Sequence, residues 1–392
     1  MTTAGSKNRC ANPEPPRLVS FLSEKGHSPL PELAGTRPLI GVVEGVGIGP
    51  QMIEAALVVL TKVGQAQNLE FEVRHSGGTD EKLVSSCGED LPEGVATFCA
   101  EIFGRGGAIL HGPVGGRYVY NLRRHFDLFC KFIPVCPVPE LARAGRIAPQ
   151  FLRDVDILIV RDNTGGVYQG RWGSCVSNGR RVAEHSFHYA EPEVHRLVDV
   201  AARAAATRRG CLHIIVKDGG VPAITALWRD VSLAEATQRG VEVKFVNIDL
   251  AAYELIQNPT RFDVIATPNL FGDVMADLAG VLVASRGLTF SGNFDAQAHG
   301  VYQTNHGCAH DLAGTNTANP AGQILSLAML LRESFGLAEA AALIEQSLAD
   351  VWRQGWRTPD LAEPDCKIVG TDEMAAKVAE QVLRTAESNR AQ

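Results

Sequence analysis

From Pro38 onward, short runs of aliphatic and β-branched residues alternate with longer stretches in which apolar residues recur at helical spacing. The short runs cover residues 39–43, 108–110, 157–160, 213–216, 243–246 and 264–266, and the longer ones include 52–63 and 321–333. Their alternation predicts an α/β fold. The alanine-rich stretch 201–207 predicts one more helix and nothing further. The first 36 residues differ: Pro13, Pro15, Pro16, Pro29 and Pro31 interrupt a polar stretch with neither an apolar signal core nor an Arg-rich amphipathic pattern. Residues 1–36 therefore read as a flexible leader.

With 392 residues the chain exceeds what one core usually supports, so two domains are expected. Hydrophobic residues make up 45% and charged residues 21%, and no apolar run is long enough to span a bilayer, which argues against a membrane partner. A net charge of -7 with both signs interspersed, and no basic stripe, argues against nucleic acid and for a small-molecule partner. Nine scattered cysteines without a Cys-x-x-Cys pair suit reduced thiols in the cytoplasm and disfavour a zinc site.

The most informative stretch is 269–277, just after the apolar run 264–267. Asp273 and Asp277 are i,i+4 partners and share one helix face. With no Lys or Arg between them their repulsion is most simply offset by a hard divalent cation. An isolated acidic pair is more often solvated surface, but Leu270, Phe271, Val274, Met275 and Leu278 place this one at a half-buried position. Other apolar runs also end in useful groups: 157–160 delivers Arg161, 213–216 delivers Lys217, and 245–248 delivers Asp249. Singly each reads as a solvated strand terminus. Together with the acidic pair they form a constellation at the carboxyl edge of a sheet, where ligands of open α/β folds gather: three carboxylates for a cation, a lysine to relay a proton, an arginine to hold a carboxylate.

Two glycine-rich segments are harder to read. The run 44–50 follows the first strand and opens a helix, yet its spacing is G-x-G-x-G-P and no acidic residue ends a second strand about twenty residues on, so a dinucleotide fingerprint is a weak match. The loop 305–320 carries His306, Gly307, His310, Asp311 and Asn319; it serves equally as a nucleotide-binding loop or as a long surface loop.

In order along the chain, the glycine run 44–50, the segment from Gly77-Gly78 to Leu91-Pro92, Leu122-Arg123, residues 160–170, Lys217, Asp249, the block 269–277 and the stretch 306–320 resemble the β-decarboxylating hydroxyacid dehydrogenases, the isocitrate, isopropylmalate, homoisocitrate and tartrate dehydrogenase family. The match runs from about residue 38 to 379. It implies an isopropylmalate dehydrogenase-like two-domain α/β fold that is not a Rossmann fold, with residues 37–128 plus 284–392 as the cofactor-binding domain, 129–283 as the central substrate and dimerisation domain, an interlocking arm near 165–190, and a homodimer.

The resemblance also implies roles. Asp249, Asp273 and Asp277 would hold Mg²⁺ or Mn²⁺, one of them coming from the other subunit. Arg123 and Arg161 would bind substrate carboxylate, with Arg117 and Lys131 as further candidates; Lys217 would act with Asp249 in deprotonating the C2 hydroxyl, and Tyr168 would protonate the enolate after CO₂ loss. His306, Gly307, Asp311 and Asn319 would bind the cofactor, and a carboxylate at Asp311 favours NAD by repelling a 2′-phosphate. Departures from the family pattern are Ile133 where a substrate arginine is expected, Gly219 in place of an asparagine, Gln303 in place of a glutamate, His310 in place of a proline, and Val46 in place of an aspartate. They imply an altered pocket for an unusual malate-like 2-hydroxy acid, in which Ile133→Arg would restore turnover of isocitrate or 3-isopropylmalate. A dehydrogenase that does not decarboxylate and a noncatalytic regulatory paralogue are the alternatives.

Overall fold

The computed structural model describes residues 16–22, 37–77 and 91–390. The residues between Gly77 and Leu91, part of the resemblance above, lie outside them, as do Cys10 and Cys87. The strands are β1 (Leu39–Val43), β2 (Glu72–His75), β3 (Ala108–His111), β4 (Cys130–Val135), β5 (Ile157–Asp162), β6 (Arg171–Ser177), β7 (Arg180–Ser186), β8 (Cys211–Val216), β9 (Glu242–Asn247), β10 (Val264–Thr267), β11 (Phe290–Phe294), β12 (Gly300–Thr304), β13 (Trp356–Arg357) and β14 (Lys367–Ile368). The helices are α1 (Gly49–Gln67), α2 (Glu93–Gly104), α3 (Gly116–His125), α4 (Pro149–Leu152), α5 (Glu191–Ala206), α6 (Pro222–Arg239), α7 (Ile248–Gln257), α8 (Asn269–Leu282), α9 (Ala321–Phe335), α10 (Ala338–Arg353) and α11 (Thr371–Arg390).

Ten strands form one sheet in the order β2-β1-β3-β12-β11-β4-β5-β10-β8-β9. Both wings are parallel. The middle is not: β11 runs antiparallel to β12 and β4, and β4 antiparallel to β5. Five strands from residues 39–111 and 290–304 make one half of the sheet, and five from 130–267 make the other. This order differs from a doubly wound dinucleotide sheet. The hairpin β6-β7 stands off the body with every residue exposed, including Trp172 at 57% and Val176 at 71%.

Alternation along β4 and β5 sorts the site from the core. Phe132 and Val160 point into the large cluster shared by α1, α5, α9 and α10, whereas Ile133, Val135, Ile157 and Ile159 point to a second cluster against α7 and α8 with Ile265, Met275 and Ala276. Lys131 and Arg161 lie on that second face, directly opposite each other in the β4-β5 register.

Part of the expected leader is core. Leu18–Leu22 forms a 3₁₀ turn whose Val19 and Phe21 are buried against α5 and α9, because their apolar side chains fill the gap between those helices. The Val19 N–H donates to the Glu333 carboxylate at 3.2 Å, and Arg17 donates to the Glu333 carbonyl at 3.2 Å. Burial pushes the Glu333 carboxyl from its ordinary 4.5 up to about 7. Between those values the folded state keeps a proton that the unfolded state has lost, so this group makes stability fall as pH rises, by up to ~1.4 kcal/mol per unit. A glutamine amide also accepts from Val19. Glu333→Gln is therefore expected to gain in thermal midpoint over the wild type as pH is raised from about 4.5 to about 7; a constant difference across that window contradicts the assignment.

Candidate active site

Five elements deliver the site. Arg117 and Arg123 come from α3, Lys131 from β4, Arg161 from β5, Tyr168 from the turn Val167–Gln169, and Asp273 and Asp277 from one face of α8. Arg161 is 2% exposed and lies across the start of α8, where its Nε and Nη2 donate to Asn269 Oδ1 at 3.3 and 2.9 Å and its Nη1 to Asp273 Oδ1 at 2.5 Å. Gly272 permits this path: a Cβ there would stand 2.6 Å from Arg161 Cγ. The Tyr168 hydroxyl donates to the other oxygen of Asp273 at 2.9 Å. Burial, reinforced by Asp273, raises the Tyr168 pKa, so the phenol keeps its proton at neutral pH. Burial also pushes the Asp273 carboxyl up, but Arg161 and the Tyr168 hydroxyl outweigh it and hold the group below its ordinary value.

The turn that presents Tyr168 is fixed by a second network. Buried Asp162 accepts from the Thr164 and Gly165 N–H groups and from the Tyr189 hydroxyl at 3.0 to 3.1 Å, and Tyr189 accepts from the Asn269 N–H. Gly166 (φ +71°) packs under the Tyr189 ring, where a Cβ would meet the hydroxyl at 2.4 Å. Arg117 Nη1 donates to the Tyr168 carbonyl at 2.7 Å, and its guanidinium lies between the rings of Tyr120 and Trp172. That places Arg117 as a support of the Tyr168 turn and of the base of the β6-β7 arm.

Arg123 and Lys131 are 5% and 3% exposed. Burial, followed by Arg161, presses the Arg123 pKa down to about 9, and burial, followed by Arg123 and Arg161, drives the Lys131 pKa well below its ordinary value. Ile133 departs from its expected place among the substrate contacts. It is 1% exposed in the apolar cluster under α8, with Ile159 opposite it, and reads as core.

The acidic residues are not gathered as the spacing suggested. Asp277 is held by Arg286 Nη2 at 3.1 and 3.2 Å, and Asp273 by Arg161, so arginines outside the helix relieve the i,i+4 repulsion, and repulsion alone does not demand a cation. Both carboxylates are about half exposed, at 44% and 55%. Asp249 does not end a strand: Ile248 already opens α7, and Asp249 sits in its first turn. It is 69% exposed and pairs at 2.9 Å with Nζ of Lys217, itself 39% exposed, and Lys217 holds the carboxyl below its ordinary value. No hydrogen bond or ion pair among the described residues joins this pair to Asp273, Asp277 or Tyr168. Likewise, no three His, Cys, Asp or Glu side chains among the described residues come close enough to hold a metal. One chain thus carries Asp273 and Asp277 in one place, and Asp249, with the lysine, in another.

A cavity of about 520 Å³ opens beside α8, lined by Ile48, Arg286, His306, Asp311, Asn319 and Asp360 among others. The two glycine-rich segments meet at its wall. Ile48 N–H donates to the Cys308 carbonyl at 2.9 Å and Val46 N–H to that of Pro113 at 2.9 Å. A Cβ on Gly45 or Gly47, both at positive φ, would strike those same carbonyls at 2.3 Å. The run 44–50 is therefore a packing device for the loop 305–320. Burial lowers the pKa of His306, so its ring is neutral at physiological pH.

Residues 39–378 match the family model of isocitrate/isopropylmalate dehydrogenase. The chain belongs to that family. The 3-isopropylmalate dehydrogenase of Aquifex aeolicus is 35% identical over 362 residues, covering 88% of this chain and 97% of that protein, and that of Ralstonia nicotianae is 36% identical over 359 residues, covering 86% and 98%. Among solved structures, isocitrate dehydrogenase from Methylococcus capsulatus superposes with a TM-score of 0.76 at 25% identity, covering 88% of this chain and 99% of that one. The fold of this dehydrogenase is thus the isocitrate dehydrogenase-like one, and its class is an oxidoreductase of small hydroxy acids.

Its departures from the family pattern fall into two kinds. Val46 is buried, Gln303 lies in β12 with its carbonyl accepting from Ser291, and both are part of the packing. Gly219 has open space where a side chain would stand, and His310 is exposed at the rim of the cavity loop. Sequence reading missed Arg286 and Asp360. Asp360 accepts from Ser285 at 2.5 Å, from Asn319 at 3.1 Å and from Thr358 at 2.6 Å, tying the cavity floor together. The Thr358-Pro359-Asp360 turn signal was there to be read, but nothing local points it at residue 319.

Proposed function

We propose that this dehydrogenase works as a homodimer that uses NAD and Mg²⁺ or Mn²⁺ to oxidise a malate-like 2-hydroxy acid, with loss of CO₂. The observation that carries the reading is the protonated Tyr168 hydroxyl bonded to Asp273 beside the buried cations Arg123 and Arg161, which is an acid poised at a carboxylate-binding pocket. The separation of the Lys217-Asp249 pair supports a site completed by a second copy. So do the apolar residues that one copy leaves uncovered next to these groups: Leu250 and Tyr253 beside Asp249, Val274 beside Asp273, and Trp172 and Val176 on the arm.

Asp273 and Asp277 of one copy and Asp249 of the other would hold the metal, oxygen donors suited to a hard cation. When bound, the metal polarises the C2 oxygen and the dinucleotide accepts hydride. Arg123 and Arg161 hold substrate carboxylate and fix the carbinol carbon. Lys217 draws the hydroxyl proton and passes it towards Asp249, its ion-pair partner. Tyr168 returns a proton to the carbon that loses CO₂, and Asp273, bonded to the same hydroxyl, keeps it oriented. His306, Gly307, Asp311 and Asn319 would line the nucleotide site, and the exposed Asp311 carboxylate opposes a 2′-phosphate. Turnover of substituted malates is expected with NAD⁺ and Mn²⁺, to cease with chelator, and to fall with NADP⁺ by about tenfold or more. Full turnover in chelator, or equal efficiency with NADP⁺, contradicts the reading.

A further inference from the structure

Two buried cations of this site have no bonded anion among the described residues. The Arg123 guanidinium and the Lys131 ammonium come from different elements, are 5% and 3% exposed, and make no hydrogen bond or ion pair with any described residue, although Asp273 acts on both and Asp277 on Lys131 from beyond contact. The Arg123 guanidinium lies 5.9 Å from the centroid of the Tyr120 ring. Lys131 faces Arg161 across the β4-β5 register, a like-charge pair that costs stability unless compensated. The nearby carboxylates are otherwise engaged: Asp273 binds Arg161 and Tyr168, and Asp277 binds Arg286. Two residues further along the same face of β4, Ile133 is sealed in the apolar cluster, so Lys131 is where that strand stops being core. A buried charge without a partner is costly, and an anion brought in from outside removes the cost.

We propose that Lys131 is a specificity-determining residue whose ammonium, together with the Arg123 guanidinium, receives the second carboxylate of the malate-like acid. Lysine supplies a compact point charge rather than a planar fork, which suits a carboxylate arriving between Arg123 and Arg161. The inference rests on the hydroxy-acid reading above, but its test does not depend on turnover.

The experiment is calorimetric binding of malate and of lactate, with Mg²⁺ and without nucleotide, to the wild type, Lys131→Met and Lys131→Arg, alongside the thermal midpoint of each ligand-free protein. The wild type is expected to bind malate in preference to lactate. Lys131→Met is expected to weaken malate by about tenfold or more while lactate is unaffected, and Lys131→Arg to restore most of the malate affinity. The ligand-free midpoint of Lys131→Met should equal or exceed that of the wild type, because a buried unpaired charge has been removed with its volume kept. Equal malate affinity in wild type and Lys131→Met overturns the proposal, as does a wild type that binds neither acid. A lowered ligand-free midpoint with both acids weakened alike also overturns it, by making Lys131 structural. Lys131-dependent malate binding in a protein that reduces no NAD⁺ would uphold this inference and sink the dehydrogenase reading instead.

Discussion

Lys217→Met and Tyr168→Phe should each lower turnover by roughly 10²–10⁴, the range typical of a removed general acid or base, with nucleotide affinity nearly unchanged. The two losses should differ in kind. Lys217, bonded to Asp249 at 2.9 Å, is the proposed acceptor of the hydroxyl proton, so its removal is expected to slow oxidation itself. Tyr168 donates to Asp273 and holds its proton at neutral pH, so its removal slows reprotonation of the carbon after CO₂ is gone. Single-turnover measurements of nucleotide reduction separate them: Tyr168→Phe should retain a faster first reduction than Lys217→Met. Wild-type rates in both variants would remove these residues from the chemistry.

Ile133→Arg should unfold the protein more readily instead of widening its substrate range. The sequence alone pointed the other way, because Ile133 stands where a substrate arginine is expected. In the fold its side chain is 1% exposed, packed with Val135, Ile157, Ile159, Ile265 and Met275. A guanidinium there has no carboxylate to meet, and the neighbouring charge on its own strand face is Lys131, of like sign. Burying an unpaired charge in such a cluster belongs to the most damaging class of substitution, at about 4 kcal/mol or more. A thermal midpoint lowered by several degrees with no gained turnover of isocitrate or 3-isopropylmalate is the expected result; a stable variant that turns over either acid contradicts it.

What the sequence disclosed and what it hid follow from where the apolar residues lie. Most strands of the wings are short, mainly apolar runs, and β1, β3, β5, β8, β9 and β10 all fall where those runs predict them. The middle strands carry no such signal. Lys131 and Pro134 break the run of β4, while β11 and β12 contain the buried polar residues Ser291, Asn293, Gln303 and Thr304, of which Ser291 and Asn293 are held by side-chain hydrogen bonds. Asn293, for example, accepts from Asn163 at 3.0 Å and donates to the Val301 carbonyl at 2.9 Å. Nothing in local periodicity forecasts a strand built that way.

The site was legible to the same degree. Arg161 and the Asp273-Asp277 face follow from a strand end and a helix period. That Asp273 answers to Arg161 and Asp277 to Arg286 does not, since the partners are set by the crossing of β5 over α8 and by the turn after α8. Repulsion between the two carboxylates is therefore no reason for a cation, because each already has a guanidinium partner. Leu18–Leu22 was hidden by its proline-rich surroundings, although Val19 and Phe21 carry the apolar side chains that seat it.

The central claim is a catalytic site divided between two copies, with Asp273 and Asp277 on one and Lys217 and Asp249 on the other. Co-refolding Lys217→Met with Asp277→Asn tests it most directly, because each variant alone spoils every site while a mixed dimer rebuilds one. Equal mixing should return about one quarter of wild-type turnover, half the dimers being mixed and half their sites intact. Mixed dimers isolated by two affinity tags that show no more activity than either parent would contradict the account.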